Sequence, residues 1–320
     1  MSIDVMITGA CGMVGSHLAP LLARQGHSVT GTFYRPTTEL PANPEGFSLL
    51  EMDIRYPQNV ARMLARFRPK TIYHLAAQSY PTVSWERPQE TMDTNVLGTV
   101  NLYEAVRALR AMDRSYDPMV VAACSSAQYG ASLLDATGPV TEDAAFLPLH
   151  PYGVSKVATD LLAFQYFRSD GIRSIRARIF NTSGPRKTGD VISDFARRIA
   201  ALPPAGGVLR VGNLSTRRAF LHVDDLISAL TVLAAKGQPG EAYNISGAEI
   251  VSIGDLIPMF EAVAGCPITP DVDKSLLRPT DEPIIIGSNA KITGATGWVP
   301  KRNVRELVAD VYAWEKGRRN

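Results

Sequence analysis

Short, nearly continuous apolar runs alternate with longer stretches whose apolar residues recur at helical spacing through the first half of this chain. IDVMI over residues 3–7 predicts a first strand, and a helix follows over 13–25. HSVTGTF and FSLLEMD supply two further strands, NVARMLARF a helix, and TIYHLAA over 71–77 another strand. One long helix is predicted over 91–112, then the strand MVVAACS, a helix over 152–169 and the strand SIRARIF. This alternation predicts an α/β fold: a Rossmann-type doubly wound parallel sheet with helices on both faces.

The second half is less regular. Gly/Pro-rich breaks at 182–189 and 202–207 flank the helical segment ISDFARRIAAL, and further helices are predicted near 224–235, 253–264 and 304–316. No repeat, low-complexity tract or obvious linker divides the chain. The expected organisation is a nucleotide-binding domain over 1–180, with returns near 219–247 and 284–292. A smaller, discontinuous α/β substrate lobe is built mainly from 181–320.

Composition narrows the partners. The chain has 320 residues, 45% hydrophobic, enough for a sizeable core. A net charge of +2 without any basic block argues against nucleic acid and favours small-molecule ligands. Cys11, Cys124 and Cys266 form no CxxC pair, which suits a reducing, cytoplasmic setting. The N-terminus carries Asp4 rather than a cationic lead, and no segment approaches the roughly 20 apolar residues of a membrane span. Neither a signal peptide nor a membrane helix is expected.

The first strand runs directly into TGACGMVG, where Gly9, Gly12 and Gly15 are spaced G-x-x-G-x-x-G and Met13 and Val14 open the helix. Glycines permit the tight turn, and the helix N-terminus attracts a pyrophosphate. A simple packing turn has the same glycines, but the strand before and the helix after point to a dinucleotide. At the end of the second strand, VTGTFYRP places Phe33 where an acid would bind a ribose 2′-hydroxyl, with Arg35 just beyond. An arginine there is either an ordinary surface residue or a ligand for a 2′-phosphate; without the acid, NADP(H) is expected.

Tyr152 and Lys156 in PYGVSK stand four apart, on one helical face. The ammonium is expected to lower the tyrosine pKa and to help hold the nicotinamide ribose. Ser125, in the stretch CSSAQYG at the end of a buried strand, can hydrogen-bond a reacting carbonyl oxygen beside Tyr152. Strand alternation would turn Ser125 and Ala127 to one side, and Ser126 and Gln128 to the other. His222, Asp224 and Asp225 in HVDDL read as a helix start capped by an aspartate rather than a metal site, and no metal is expected.

With these residues the chain resembles the extended short-chain dehydrogenase/reductase family over essentially its whole length. HLAAQSYPTVSWERP, FNTSGPR, GNLSTRRAFLHVDD and LLRPTDEPIIIGSNAKITGATGW resemble the branch acting on GDP-mannose derivatives, which contains GDP-mannose 4,6-dehydratases and GDP-4-keto-6-deoxy-mannose reductases. The resemblance implies a Ser/Thr–Tyr–Lys centre made of Ser125, Tyr152 and Lys156. It implies that Asp53 and Ile54 flank the adenine and that Leu75, Ala76 and Ala77 line the cofactor ribose. Ser79, Asn181, Arg218 and Arg278 would meet the nucleotide sugar, the arginines near its diphosphate. It also implies a homodimer through the helices over 91–112 and 152–169.

Three functions compete: a reductase of a 4-keto sugar, a dehydratase or epimerase that returns its hydride, and a non-catalytic nucleotide sensor. The intact Ser125, Tyr152 and Lys156 count against the sensor. In the 4,6-dehydratases the resemblance implies a glutamate two residues after the Ser/Thr, acting as base at sugar C5. Here that residue is Ala127, and a methyl group accepts no proton. An epimerase of the GDP-fucose synthase type would need a Cys/His pair, and Cys124 should point away from the site. NADPH-dependent reduction of a nucleotide-linked 4-keto-6-deoxy sugar is the expected activity.

Overall fold

The buried run VMIT forms β1 (Val5–Thr8), and the glycine turn leads into α1 (Met13–Arg24). The computed structural model describes residues 2–36, 46–276 and 283–319. The chain continues through β2 (Val29–Phe33), β3 (Phe47–Glu51), α2 (Pro57–Phe67) and β4 (Thr71–His74). Two short helices follow, α3 (Pro81–Glu86) and α4 (Pro88–Met92), and then α5 (Gly98–Met112). The first half closes with β5 (Met119–Ser125), α6 (Pro151–Asp170) and β6 (Ser174–Ile179).

Beyond β6 the elements shorten: β7 (Thr182–Ser183), α7 (Val191–Ile199), β8 (Gly207–Val211), β9 (Arg217–Ala219) and β10 (Leu221–His222). Then come α8 (Val223–Lys236), β11 (Ala242–Ile245), β12 (Ile250–Ser252), α9 (Leu256–Ala264) and β13 (Ile268–Val272). The chain ends with β14 (Ile284–Ile285), α10 (Ala290–Thr296) and α11 (Val304–Gly317).

Seven parallel strands form one sheet in the order β11-β6-β5-β4-β1-β2-β3. The strand order reverses between β1 and β4, and such a switch point opens a crevice at the carboxyl ends of the strands. Leu18, Leu22, Leu226, Leu230 and Ile292 bury one face of the sheet under α1, α8 and α10. Val60, Leu64, Leu102, Val106 and Ala163 bury the other under α2, α5 and α6. A separate core of Phe195, Phe260, Leu307, Val308 and Val311 joins α7, α9 and α11 to short two- and three-stranded sheets.

Two local expectations need correction. The helix predicted as one piece over 91–112 is interrupted by a π turn at Asp93–Leu97. Asn95 in that turn bonds both main-chain groups of Gln78, accepting N–H at 2.8 Å and donating to C=O at 3.0 Å. It also reaches Ser155 Oγ at 2.9 Å, so the bulge trades helical regularity for a buried polar staple. The apolar periodicity runs through undisturbed, which hides the bulge from a pattern reading. At HVDDL the cap is His222, whose Nδ1 accepts the Asp224 N–H at 3.0 Å. Asp224 and Asp225 sit inside the first turn of α8, and His222 Nε2 turns to Asp310 at 3.1 Å.

Candidate active site

The glycine turn after β1 requires glycine at two positions. Gly9 has φ +72°, and a Cβ there would stand 2.8 Å from Ala76 N. At Gly15 a Cβ would stand 2.5 Å from Gly9 O, so only glycine lets α1 pack on the turn. Gly12 is the N-cap of α1 and supplies no side-chain cap, which leaves the first N–H groups of the helix open toward a cleft of about 1410 Å³. Gly9, Gly12, Met13, Val14 and Gly15 all line that cleft. An uncapped helix start beside a cradle that a Cβ would fill fits a pyrophosphate.

The next wall is set by a buried relay. Thr99 Oγ1 donates to Asn95 O at 2.6 Å, so it accepts from His74 Nε2 at 2.9 Å. His74 Nδ1 therefore accepts from Thr8 Oγ1 at 2.9 Å, and Thr8 Oγ1 accepts the Ala76 N–H at 3.2 Å. Burial pushes His74 down to about 3 and keeps it neutral, as this relay requires. Leu75, Ala76 and Ala77 thus hold one course along the cleft, and Ser79 follows at its rim.

Arg35 also lines the cleft, in the left-handed region with φ 45°. Its guanidinium lies 5.2 Å from the Tyr34 ring centroid, and that of Arg55 lies 5.4 Å from the same centroid. Arg55 is anchored by the buried Asp53, with Nε at 3.0 Å from both oxygens and Nη2 at 2.6 Å from Oδ2. Asp53 and Ile54 line the cleft beside them. The sequence reading overlooked Arg55; its signal was the basic residue two after the acid in DIR.

The reaction centre forms where β5 meets α6. His150 caps α6, its Nδ1 accepting the Gly153 N–H at 3.0 Å, and its ring stacks on Tyr152 with centroids 5.9 Å apart. Tyr152 and Lys156 face the end of β5, where Lys156 Nζ donates to Ala123 O at 2.7 Å. Lys156 Nζ lies 5.8 Å from the Tyr152 ring centroid. Burial dominates both groups: it raises Tyr152 to about 12, partly offset by a hydrogen bond with Ser125, and lowers Lys156 to about 8. The expectation that Lys156 pulls the phenol down is therefore corrected. Desolvation wins, and the phenol keeps its proton at neutral pH.

Strand alternation does not govern CSSAQYG either. The strand ends at Ser125, which caps a 3₁₀ turn over Ser126–Gln128. Ser125 Oγ accepts the Ala127 N–H at 3.2 Å, and Gln128 turns inward, fully buried. Ser125 and Ala127 both line the cleft. Cys124 is buried.

Among the described residues the carboxylates lining the cleft are engaged: Asp53 with Arg55, Glu90 with Arg87, Asp194 with Arg197 and Arg198, and Glu315 with Arg318. Asp190 caps α7. On the lobe side the cleft is basic, with Arg186, Lys187, Arg198, Arg210 and Arg218 in its wall. Only Arg218 was singled out from the sequence; the others are scattered through irregular segments that no periodicity connects. Asn181 lines the cleft too, and its Nδ2 is buried with no hydrogen-bond partner among the described residues. Arg278 lies outside the described residues. No group of three His, Cys, Asp or Glu among the described residues is placed to hold a metal ion.

The profile of GDP-mannose 4,6 dehydratase matches residues 6–311. The chain belongs to the GDP-mannose 4,6-dehydratase family. Within that family it is 30% identical to GDP-6-deoxy-D-mannose reductase of Pseudomonas aeruginosa, over 98% of each chain. It is 26% identical to GDP-mannose 4,6-dehydratase of Sinorhizobium fredii, over 96% of this chain and 94% of that one. Among solved structures, RMD from Pseudomonas aeruginosa complexed with NADPH matches with a TM-score of 0.83 and 28% identity, covering 99% and 100% of the two chains. UDP-glucose 4-epimerase of Thermotoga maritima superposes with a TM-score of 0.89 at 21% identity, covering 99% and 100%, a likeness of fold alone. The family thus spans reductases and dehydratases, and the choice falls to the site.

Proposed function

We propose that this protein is an NADPH-dependent reductase of a nucleotide-linked 4-keto-6-deoxy sugar, with GDP-4-keto-6-deoxy-D-mannose as the substrate and a GDP-6-deoxyhexose such as GDP-rhamnose as the product. The observation that carries this reading is Ala127: a methyl group beside Ser125 in the cleft, where the dehydratase chemistry needs a base. The relatives that reduce and the relatives that dehydrate match this chain over similar lengths, so only such a difference in the site separates them. A 4,6-dehydratase remains the second reading. It would need another carboxylate to take the C5 proton, and among the described residues those lining the cleft are each paired with a cation or cap a helix.

NADPH, when held in this cleft, would supply the hydride for sugar C4. The half-buried, protonated Tyr152 gives its hydroxyl proton to the carbonyl oxygen, so hydride and proton together make the alcohol. Ser125 donates a second hydrogen bond to that oxygen. The Ser125 oxygen accepts the Ala127 N–H through one lone pair, so the turn does not use its hydroxyl proton. Lys156 holds positive charge behind the phenol and offers donors to the cofactor ribose. The glycine turn takes the pyrophosphate, and Asp53 and Ile54 flank the adenine. Leu75, Ala76 and Ala77 line the cofactor ribose, and Arg35 with Arg55 takes the 2′-phosphate, which favours NADPH over NADH.

Residues 1–180, with the returns near 219–247 and 284–292, would hold the cofactor. The remainder would hold the nucleotide sugar through Asn181, Arg218 and Arg278, joined by Ser79 from the cofactor-binding part. The orphan Asn181 amide and the basic wall support a diphosphate there. The three cysteines are buried and not joined in disulfides, which fits a cytoplasmic enzyme. Among the described residues no helix is long and apolar enough to cross a membrane. Val154, Leu161 and Phe164 stand exposed along α6, and Leu97 is exposed on the π turn that packs against this helix, which supports a homodimer; sedimentation velocity showing a monomer would overturn that part.

The function is tested with NADPH deuterated at the transferable position and the 4-keto-6-deoxy sugar nucleotide. One deuterium should appear at sugar C4 for each NADPH consumed. A product without label at C4 would rule the reduction out.

A further inference from the structure

Behind the reaction centre, the fully buried Gln128 bridges two elements. Its Oε1 accepts the Ser125 main-chain N–H at 3.4 Å, and its Nε2 donates to Asp160 Oδ2 at 3.0 Å. Asp160 is the third residue of a row on α6, after Tyr152 and Lys156, each four positions from the last. Its carboxylate is fully buried and fixed by Arg176 Nη1 at 2.8 Å, Arg178 Nε at 2.8 Å and Arg178 Nη2 at 3.2 Å. A buried carboxylate with this many charge-assisted donors is a rigid anchor. The turn also meets α6 at a second point, since a Cβ at Gly153 would stand 2.7 Å from Ala127 O.

We propose that Gln128 is a positioning residue for the reduction: by tying the Ser125 main chain to Asp160 on α6, it fixes the placement of the Ser125 hydroxyl relative to that of Tyr152. A merely space-filling side chain would serve the core but leave the Ser125 N–H and Asp160 each short of a partner. The inference rests on the reading of Ser125 and Tyr152 as the pair that meets the carbonyl oxygen.

Three variants test it: Gln128→Leu, Gln128→Glu and Ser125→Ala, each assayed for NADPH affinity, KM and kcat across pH. A protonated glutamic acid accepts from Ser125 and donates to Asp160 as glutamine does, whereas the ionised form has no donor and faces a like charge. The charged and titratable groups of the cluster that the new carboxyl would join are Asp160 and Lys156 from α6, Arg176 and Arg178 from β6, Cys124 from β5, Tyr103 from α5, and Tyr129 and Glu142 from the segment between β5 and α6. Misplacing a reacting group by a fraction of an ångström should cost Gln128→Leu about 10- to 100-fold in kcat, with KM and NADPH affinity changed less than about threefold.

Gln128→Glu should be as poor as Gln128→Leu at high pH and recover as pH falls, while Gln128→Leu stays flat. Wild-type kcat in Gln128→Leu, or a Gln128→Glu profile parallel to wild type, overturns the inference. If Gln128→Leu does not fold, the pH limb of Gln128→Glu decides alone. Ser125→Ala separates the two levels. A normal kcat there overturns the reading of the centre itself, whereas a low one beside an active Gln128→Leu overturns only the role of Gln128.

Discussion

The Ser125 hydroxyl accepts the main-chain N–H of Ala127 at 3.2 Å. This contact uses a lone pair and not the hydroxyl proton, so Ser125 keeps its O–H to donate to a substrate oxygen in the cleft. Ser125→Ala should therefore lower kcat about 10²- to 10³-fold, the usual effect of losing one preorganised donor at a developing oxyanion. NADPH affinity should be unchanged, and steady-state kinetics with fluorescence titration of NADPH checks both. A loss confined to KM would contradict the role.

Tyr152 sits in a site that raises it to about 12, so the phenol is a proton donor through the neutral range. Tyr152→Phe removes one hydroxyl and should cost about 10²- to 10⁴-fold in turnover while leaving the fold and NADPH binding intact. Near-full activity in this variant would mean that another group supplies the proton.

Lys156 is lowered to about 8 by burial, so the folded protein holds this proton less tightly than the unfolded chain. Between that value and the ordinary lysine range the unfolded state binds more protons, and the stability of the cofactor-free protein should rise with pH. Below it, the buried charge is a standing cost. Lys156→Met should raise the melting temperature of the cofactor-free protein at neutral pH and abolish turnover, because removing that cost outweighs the loss of about 1 kcal/mol for the hydrogen bond to Ala123 O. A lower melting temperature in the variant would contradict the assignment.

Arg35 and Arg55 flank the Tyr34 ring, and they differ in what else they do. Arg35→Ala should weaken NADPH by about 1.5–3 kcal/mol and NADH little, as expected for one charge-assisted contact. Arg55→Ala should show the same preference and also lower thermal stability, because it strips the buried Asp53 of its counterion. Calorimetric titration with both cofactors checks this pair; equal losses for NADPH and NADH would refute a 2′-phosphate site.

Much of this arrangement was legible in the sequence, and the limits have physical causes. The parallel sheet followed from apolar runs bounded by helical periodicity, and the glycine turn from its spacing between a strand and a helix. Tyr152 and Lys156 could be paired because a helix fixes which residues share a face. The turn after Ser125 could not be read, since a strand and the start of a 3₁₀ turn look alike over so few residues. Whether burial or the neighbouring ammonium dominates Tyr152 depends on packing that only the folded chain supplies. The π turn around Asn95 and the partnership of Gln128 with Asp160 are tertiary contacts, and no local pattern encodes them.

The central claim is that this site reduces a keto sugar and does not make one. Purified protein is incubated with GDP-mannose and NADP⁺ in one vessel, and with GDP-4-keto-6-deoxy-D-mannose and NADPH in another, and nucleotide sugars and NADPH are quantified over time. NADPH should be consumed in the second vessel, one for each alcohol formed, and GDP-mannose should remain intact in the first. Conversion of GDP-mannose to the 4-keto-6-deoxy sugar by this protein alone would contradict the reading of Ala127 and make the enzyme a dehydratase.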